Sequence, residues 1–157
     1  MHLPHNKNHL TVVLAEDDDG HALLVTKNIE RAGHAGHVVR LRDGRETLDY
    51  FLGPQAGREQ NGEHNGSRAI LLLDINMPRL SGIEVLERLK QDAATTNLPV
   101  IMLTTTDDPQ EVARCYRLGC NVYVRKPVVY EEFVDAIERL GRFLQVIQVP
   151  TDVAAGA

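Results

Sequence analysis

No run of apolar residues in this chain of 157 approaches the roughly 18 that a membrane helix requires. The opening MHLPHNKNHL has no apolar stretch of the kind a secretory leader carries, so a soluble, cytoplasmic protein is the expectation. Clustered positive charge is missing too: net charge is −5 and no Lys/Arg run occurs, which speaks against binding nucleic acid through a basic patch. Cysteine is scarce. Cys115 and Cys120 match neither a CxxC pair nor a zinc spacing and are expected to be reduced core thiols. The phosphate loops GxxxxGK[ST] and GxGxxG are also absent, which removes the usual nucleotide-binding signals. His2, His5 and His9 fall in what reads as a flexible polar tail, residues 1–9.

What is present is an alternation. Strand-length apolar blocks recur as TVVLA (11–15), HVVRL (37–41), AILLL (69–73), PVIML (99–103) and NVYVR (121–125). Three are continuously apolar, as parallel strands covered on both faces must be. Helical segments lie between them. Ser81 with Glu84, Asp108 with Glu111 and Asp43 with Glu46 each place a capping residue three before an acid, and Pro109 takes the favoured first helical position. Ala22, Val25, Ile29 and Ala32 share one face of the first helix; Phe133, Ile137, Leu140 and Leu144 share one face of the last. Gly119 marks a helix end. Five strand–helix repeats predict one doubly wound α/β domain over residues 10–144. A polar loop at 53–68 interrupts it, and a short C-terminal extension, 145–157, follows it.

In an open parallel sheet, ligands gather beyond the carboxyl ends of the strands, where strand order reverses. Glu16 and Asp17 follow the first strand and Asp74 follows the third. In the flavodoxin-like order 2-1-3-4-5 those strands are neighbours, so the three acids converge. Asp18 or Asp19 is free to cap the first helix, but Asp74 has no such duty, because Ser81 already caps the helix after it. Two like charges ~4 Å apart repel by about 4 kcal/mol at an effective dielectric of 20. Compensation must come from Lys126, just after the fifth strand, or from a hard divalent ion such as Mg2+. An exposed acid beside such cations is suited to attack phosphorus.

Together, VLAEDD, LLLDINMPRLSG, PVIMLTT and NVYVRKP, within a five-fold β/α alternation over about residues 10–144, resemble the receiver domains of two-component response regulators. The resemblance implies Asp74 as phosphoacceptor, with Mg2+ held by Glu16, Asp17, Asp74 and the backbone carbonyl of Asn76. It implies Thr104 and Lys126 as partners of the phosphoryl group, a cis bond from Lys126 to Pro127, and Tyr123 with Thr104 as the switch pair. It places Thr106 and Asn76 where self-dephosphorylation is tuned. No separate substrate turnover is implied, and no small-molecule substrate beyond phosphodonors. A phosphatase of the haloacid-dehalogenase type would need an acid two residues past the nucleophile, where Asn76 stands.

The chain leaves no room for a separate output domain, so a stand-alone receiver is expected, signalling to a partner protein or relaying the group onward. The 53–68 loop and the apolar FLQVIQVP are similar to single-domain regulators paired with bacterial phytochromes. That likeness implies a sensor histidine kinase partner, a bacteriophytochrome, and a homodimer formed through the C-terminal extension. Kinase docking in the family implicates His21, Ala22, Val25 and Val128.

Overall fold

The computed structural model describes residues 10–31, 38–54, 56 and 68–146. The 1–9 tail, Ala32, most of the 53–68 loop and the extension beyond residue 146 lie outside the described residues. The elements run β1 (Leu10–Ala15), α1 (Asp19–Arg31), β2 (Val38–Leu41), α2 (Gly44–Leu52) and β3 (Arg68–Leu73). They continue through α3 (Gly82–Gln91), β4 (Val100–Thr104), α4 (Pro109–Leu118), β5 (Val122–Arg125) and α5 (Tyr130–Val146). The strands form one parallel sheet in the expected order, β2-β1-β3-β4-β5.

Strand periodicity of two divides the apolar residues into two cores. Val13, Ala15, Leu71, Leu73, Val100 and Met102 face Leu48 of α2, Leu86 and Leu89 of α3 and Cys115 of α4. Val12, Leu14, Ile70, Leu72, Ile101 and Leu103 face Val25 and Ile29 of α1 and Phe133, Ile137 and Leu140 of α5. Both faces of β1, β3 and β4 are covered, which is why their sequences are apolar throughout. Each such leucine removed from water contributes roughly 1.5–3 kcal/mol. Both cysteines are free and buried in the first core, and burial pushes the Cys120 thiol up to about 11.

The helix starts follow local chemistry with two differences from expectation. Ser81 and Glu84 close a full capping box at α3. Asp43 accepts from the Glu46 backbone N–H, but the Glu46 carboxylate returns to Arg42 N–H instead of Asp43. Asp108 caps α4 through Gln110 N–H, with Pro109 at the first position, and Glu111 does not return to complete a box. Asp18, not Asp19, caps α1, accepting from His21 N–H at 2.8 Å. Gly119, at φ 108°, ends α4 in the left-handed region where a side chain would be strained. Helix α5 continues two residues past the expected boundary at 144, to Val146. No helix among the described residues is long and apolar enough to cross a membrane.

Candidate functional site

The register of the central strands assembles the site. Ala15 and Leu73 are partners across β1 and β3, and Asp74 N–H extends the ladder to Ala15 carbonyl O at 3.1 Å. The chain therefore leaves the sheet at Glu16–Asp17 and at Asp74 side by side. Carboxylate oxygens of Glu16, Asp17 and Asp74 all lie within 4.8 Å of one another. Glu16 is 1% exposed and Asp74 7%, whereas Asp17 is open to solvent.

Lys126 enters from the far side of β4. Its backbone N–H bonds Thr104 carbonyl O, and its side chain, 3% exposed, crosses the rim to the acids. Nζ is paired with Glu16 Oε2 and lies 3.3 Å from Asp74 Oδ2. The other oxygens are also engaged: Glu16 Oε1 accepts from Asp18 N–H and Asp74 Oδ1 from Asn76 N–H, each at 3.2 Å. Burial pushes Glu16 up to about 7; the ammonium of Lys126 opposes that rise and the charge of Asp74 adds to it. One buried cation thus faces two buried acids and a third at the surface. The cluster retains excess negative charge, and its donors are all oxygen, the set that a hard divalent ion such as Mg2+ takes.

Thr104 is fully buried, its hydroxyl oxygen accepting from Thr106 N–H at 3.4 Å. Tyr123 is half-buried, and its hydroxyl donates to Thr106 carbonyl O at 2.8 Å. Both switch candidates are thus tied to the same residue of the loop between β4 and α4. Burial raises the Tyr123 phenol, which keeps it a donor.

Two expectations are corrected. Among the described residues there are no cis peptide bonds, so Lys126–Pro127 is trans, the isomer that an X–Pro bond prefers by about 0.5–1 kcal/mol. Ala22 and Val25 are 3% and 0% exposed and belong to the core beneath α1, because they lie on the very helix face that packs on the sheet. Neither can present a docking surface. His21 and Val128 are exposed, Val128 by 87%, and Val129 and Tyr130 next to Val128 in the chain are exposed as well.

Sequence reasoning missed two residues. Gly82 lets α3 press against the turn after β3: a Cβ there would sit 2.1 Å from Asp74 carbonyl O. Its place after the Ser81 cap gave no hint of that approach. Arg40 reaches from β2 to the loop after β1, donating to the carbonyls of both Glu16 and Asp17. A charge inside the apolar block HVVRL was the available signal.

The profile of the response regulator receiver domain family matches residues 12–138. A crystal structure of a response regulator receiver domain from Rhodospirillum rubrum is 44% identical, with a TM-score of 0.81 over 90% of this chain and 98% of that one. Response regulator Rcp1 of Synechocystis is 28% identical over 88% of this chain and 92% of its own length. Its Mn(2+)-bound crystal structure gives a TM-score of 0.76, covering 89% of this chain and 98% of that chain, at 26% identity. The phosphorylated cyanobacterial phytochrome response regulator RcpA gives 0.77, at 26% identity over 90% of this chain and 99% of that one. With Asp74, its two companion acids and Lys126 gathered at the rim of a 2-1-3-4-5 sheet, this chain belongs to the receiver-domain family of two-component response regulators, and regulators associated with phytochromes are among its relatives.

Proposed function

We propose that this protein accepts a phosphoryl group from the phosphohistidine of a sensor histidine kinase onto Asp74. The observation that carries the reading is the Asp74 carboxylate held 3.3 Å from a buried Lys126 ammonium, with Glu16 and Asp17 alongside. A carboxylate oxygen of Asp74 forms the new O–P bond as the N–P bond breaks, and the departing imidazole takes up a proton. Lys126 and the Thr104 hydroxyl stabilise negative charge on the transferring oxygens. Mg2+, held by Asp17, Asp74 and the Asn76 carbonyl, supplies further positive charge there when bound. Glu16, beside them, would act on the ion mainly through water. The protein assists its own phosphorylation and dephosphorylation and turns over no separate substrate.

The added phosphoryl group brings about two negative charges. Thr104 responds to them, and Tyr123, bonded to the same loop, carries the change to the face formed by α4, β5 and α5. A partner protein reads that face, or the group is relayed onward. The kinase docks beside the site at His21 and Val128. The kinship with the phytochrome response regulator RcpA supports a bacteriophytochrome as that kinase. The same reading includes a cytoplasmic regulator that forms a homodimer through its C-terminal extension.

The test is labelling by acetyl phosphate with Mg2+, followed by phosphotransfer from a panel of candidate histidine kinases. Wild-type protein is expected to be labelled and Asp74→Asn not. Full labelling of Asp74→Asn would move the acceptor elsewhere.

A further inference from the structure

We infer that Arg40 is a positioning residue for the divalent-ion site, holding Glu16 and Asp17 from below through their backbone carbonyls. The inference rests on the proposed Mg2+ reading of the acid cluster. Arg40 lies on β2, opposite Leu14 of β1, one residue before the strand ends. Backbone pairing from β2 continues only to Glu16 N–H, which donates to Leu41 carbonyl O at 3.0 Å. Beyond that point the loop is held by a side chain. Arg40 Nε donates to Glu16 carbonyl O at 3.0 Å and Nη2 to Asp17 carbonyl O at 3.2 Å. Nη1 donates to Asp19 Oδ1 at 2.7 Å, in the first turn of α1. One planar guanidinium therefore ties together both acids of the pair and the helix that follows them.

The consequence is geometric. Each carbonyl belongs to a peptide plane that pivots with its residue's Cα–Cβ direction, so holding both carbonyls restricts the directions in which the Glu16 and Asp17 side chains leave the backbone. Without the fork, the two planes gain rotational freedom, and binding an ion must also order the loop. The charge of Arg40 acts in the opposite direction: removing a cation near the site, by itself, tightens binding of Mg2+. Positioning and charge thus predict opposite signs, and the direction of the change decides between them. Lysine cannot substitute, because a single ammonium does not reproduce three donors in a rigid plane.

The experiment titrates the full chain with Mg2+ by calorimetry, comparing wild type with Arg40→Met and Arg40→Lys, alongside metal-free thermal melts and Mg2+-dependent acetyl phosphate labelling. Arg40→Met is expected to weaken Mg2+ binding about tenfold, the lower end of what outer-shell partners of metal ligands are worth. In labelling, the Mg2+ concentration for half-saturation shifts upward while the rate at saturating Mg2+ stays within about twofold, a split that general loss of structure does not produce. Arg40→Lys, which loses the fork but keeps the charge, is expected to lose affinity in the same direction and by at least as much. If Arg40→Met does not fold, Arg40→Lys carries the test alone, and wild-type affinity in it overturns the inference. Equal or tighter binding by a folded Arg40→Met overturns it as well. Failure of wild type itself to bind Mg2+ would overturn the metal reading, and the role of Arg40 with it; that result is distinct from a variant that matches a binding wild type.

Discussion

Replacing Lys126 with methionine keeps most of the side-chain volume and removes the buried ammonium that faces Glu16 and Asp74. Both partners remain buried, at 1% and 7% exposure, and lose their compensating charge. Breaking a buried pair in this way costs about 3–5 kcal/mol, because a charge is left in the interior without a partner. For a domain of this size that corresponds to a fall in Tm of about 6–20 °C. The loss must depend on pH. Glu16 in the folded protein already titrates near 7, above its usual value of 4.5, because burial disfavours the ionised form. A carboxyl raised on folding holds its proton better in the native state, so its contribution is fully present below the unfolded value and is lost as pH rises through the folded one. Removing Lys126 raises Glu16 further. The deficit of Lys126→Met is therefore expected to be largest near pH 8 and smallest near pH 5. Melts followed by circular dichroism at those two pH values, in chelator and in excess Mg2+, measure it. Mg2+ should restore more stability to the variant than it adds to wild type, since it replaces the missing positive charge. A deficit below about 1 kcal/mol at pH 8, or one equal at both pH values, would refute the reasoning.

Three further outcomes are expected. Mg2+ affinity should fall about tenfold between pH 8 and pH 6, because protons compete for Glu16, which titrates near 7; calorimetric titrations showing equal affinity at both would contradict this. Gly82→Ala places a methyl 2.1 Å from Asp74 carbonyl O, so α3 or the turn after β3 must shift; a loss of about 1–3 kcal/mol in urea unfolding and weaker Mg2+ binding follow, and an unchanged midpoint would count against that contact. Ser81→Ala opens the capping box of α3 and should cost about 1 kcal/mol in the same assay while leaving Mg2+ affinity within twofold.

The parts of the fold that were legible in the chain are those governed by neighbours a few residues apart. The uninterrupted apolar blocks identified β1, β3 and β4, because a strand covered on both faces cannot alternate. The Ser81 box and Gly119 marked helix ends, because capping is a matter of one turn. The convergence of Glu16, Asp17 and Asp74 was legible one step further, since it follows once the order 2-1-3-4-5 is assumed. Details failed where two local rules competed. The pattern of Ala22 and Val25 suits the core face of α1 and the family resemblance a docking patch, and burial puts both in the core. At α4, the proline and the aspartate set the start of the helix, and Glu111 had no need to return.

The chain by itself determined which residues leave the sheet at its carboxyl edge, because strand ends and turn residues are written locally. Only the tertiary structure decided how their charges are shared. Lys126 lies 110 residues from Glu16 and 52 from Asp74, and its pairing with both comes from the crossing of β4 by one long side chain. Arg40 reaches the Glu16 carbonyl from 24 residues away because β2 and β1 are adjacent and in register. Such contacts depend on register and on side-chain reach in three dimensions, which no spacing along the chain encodes.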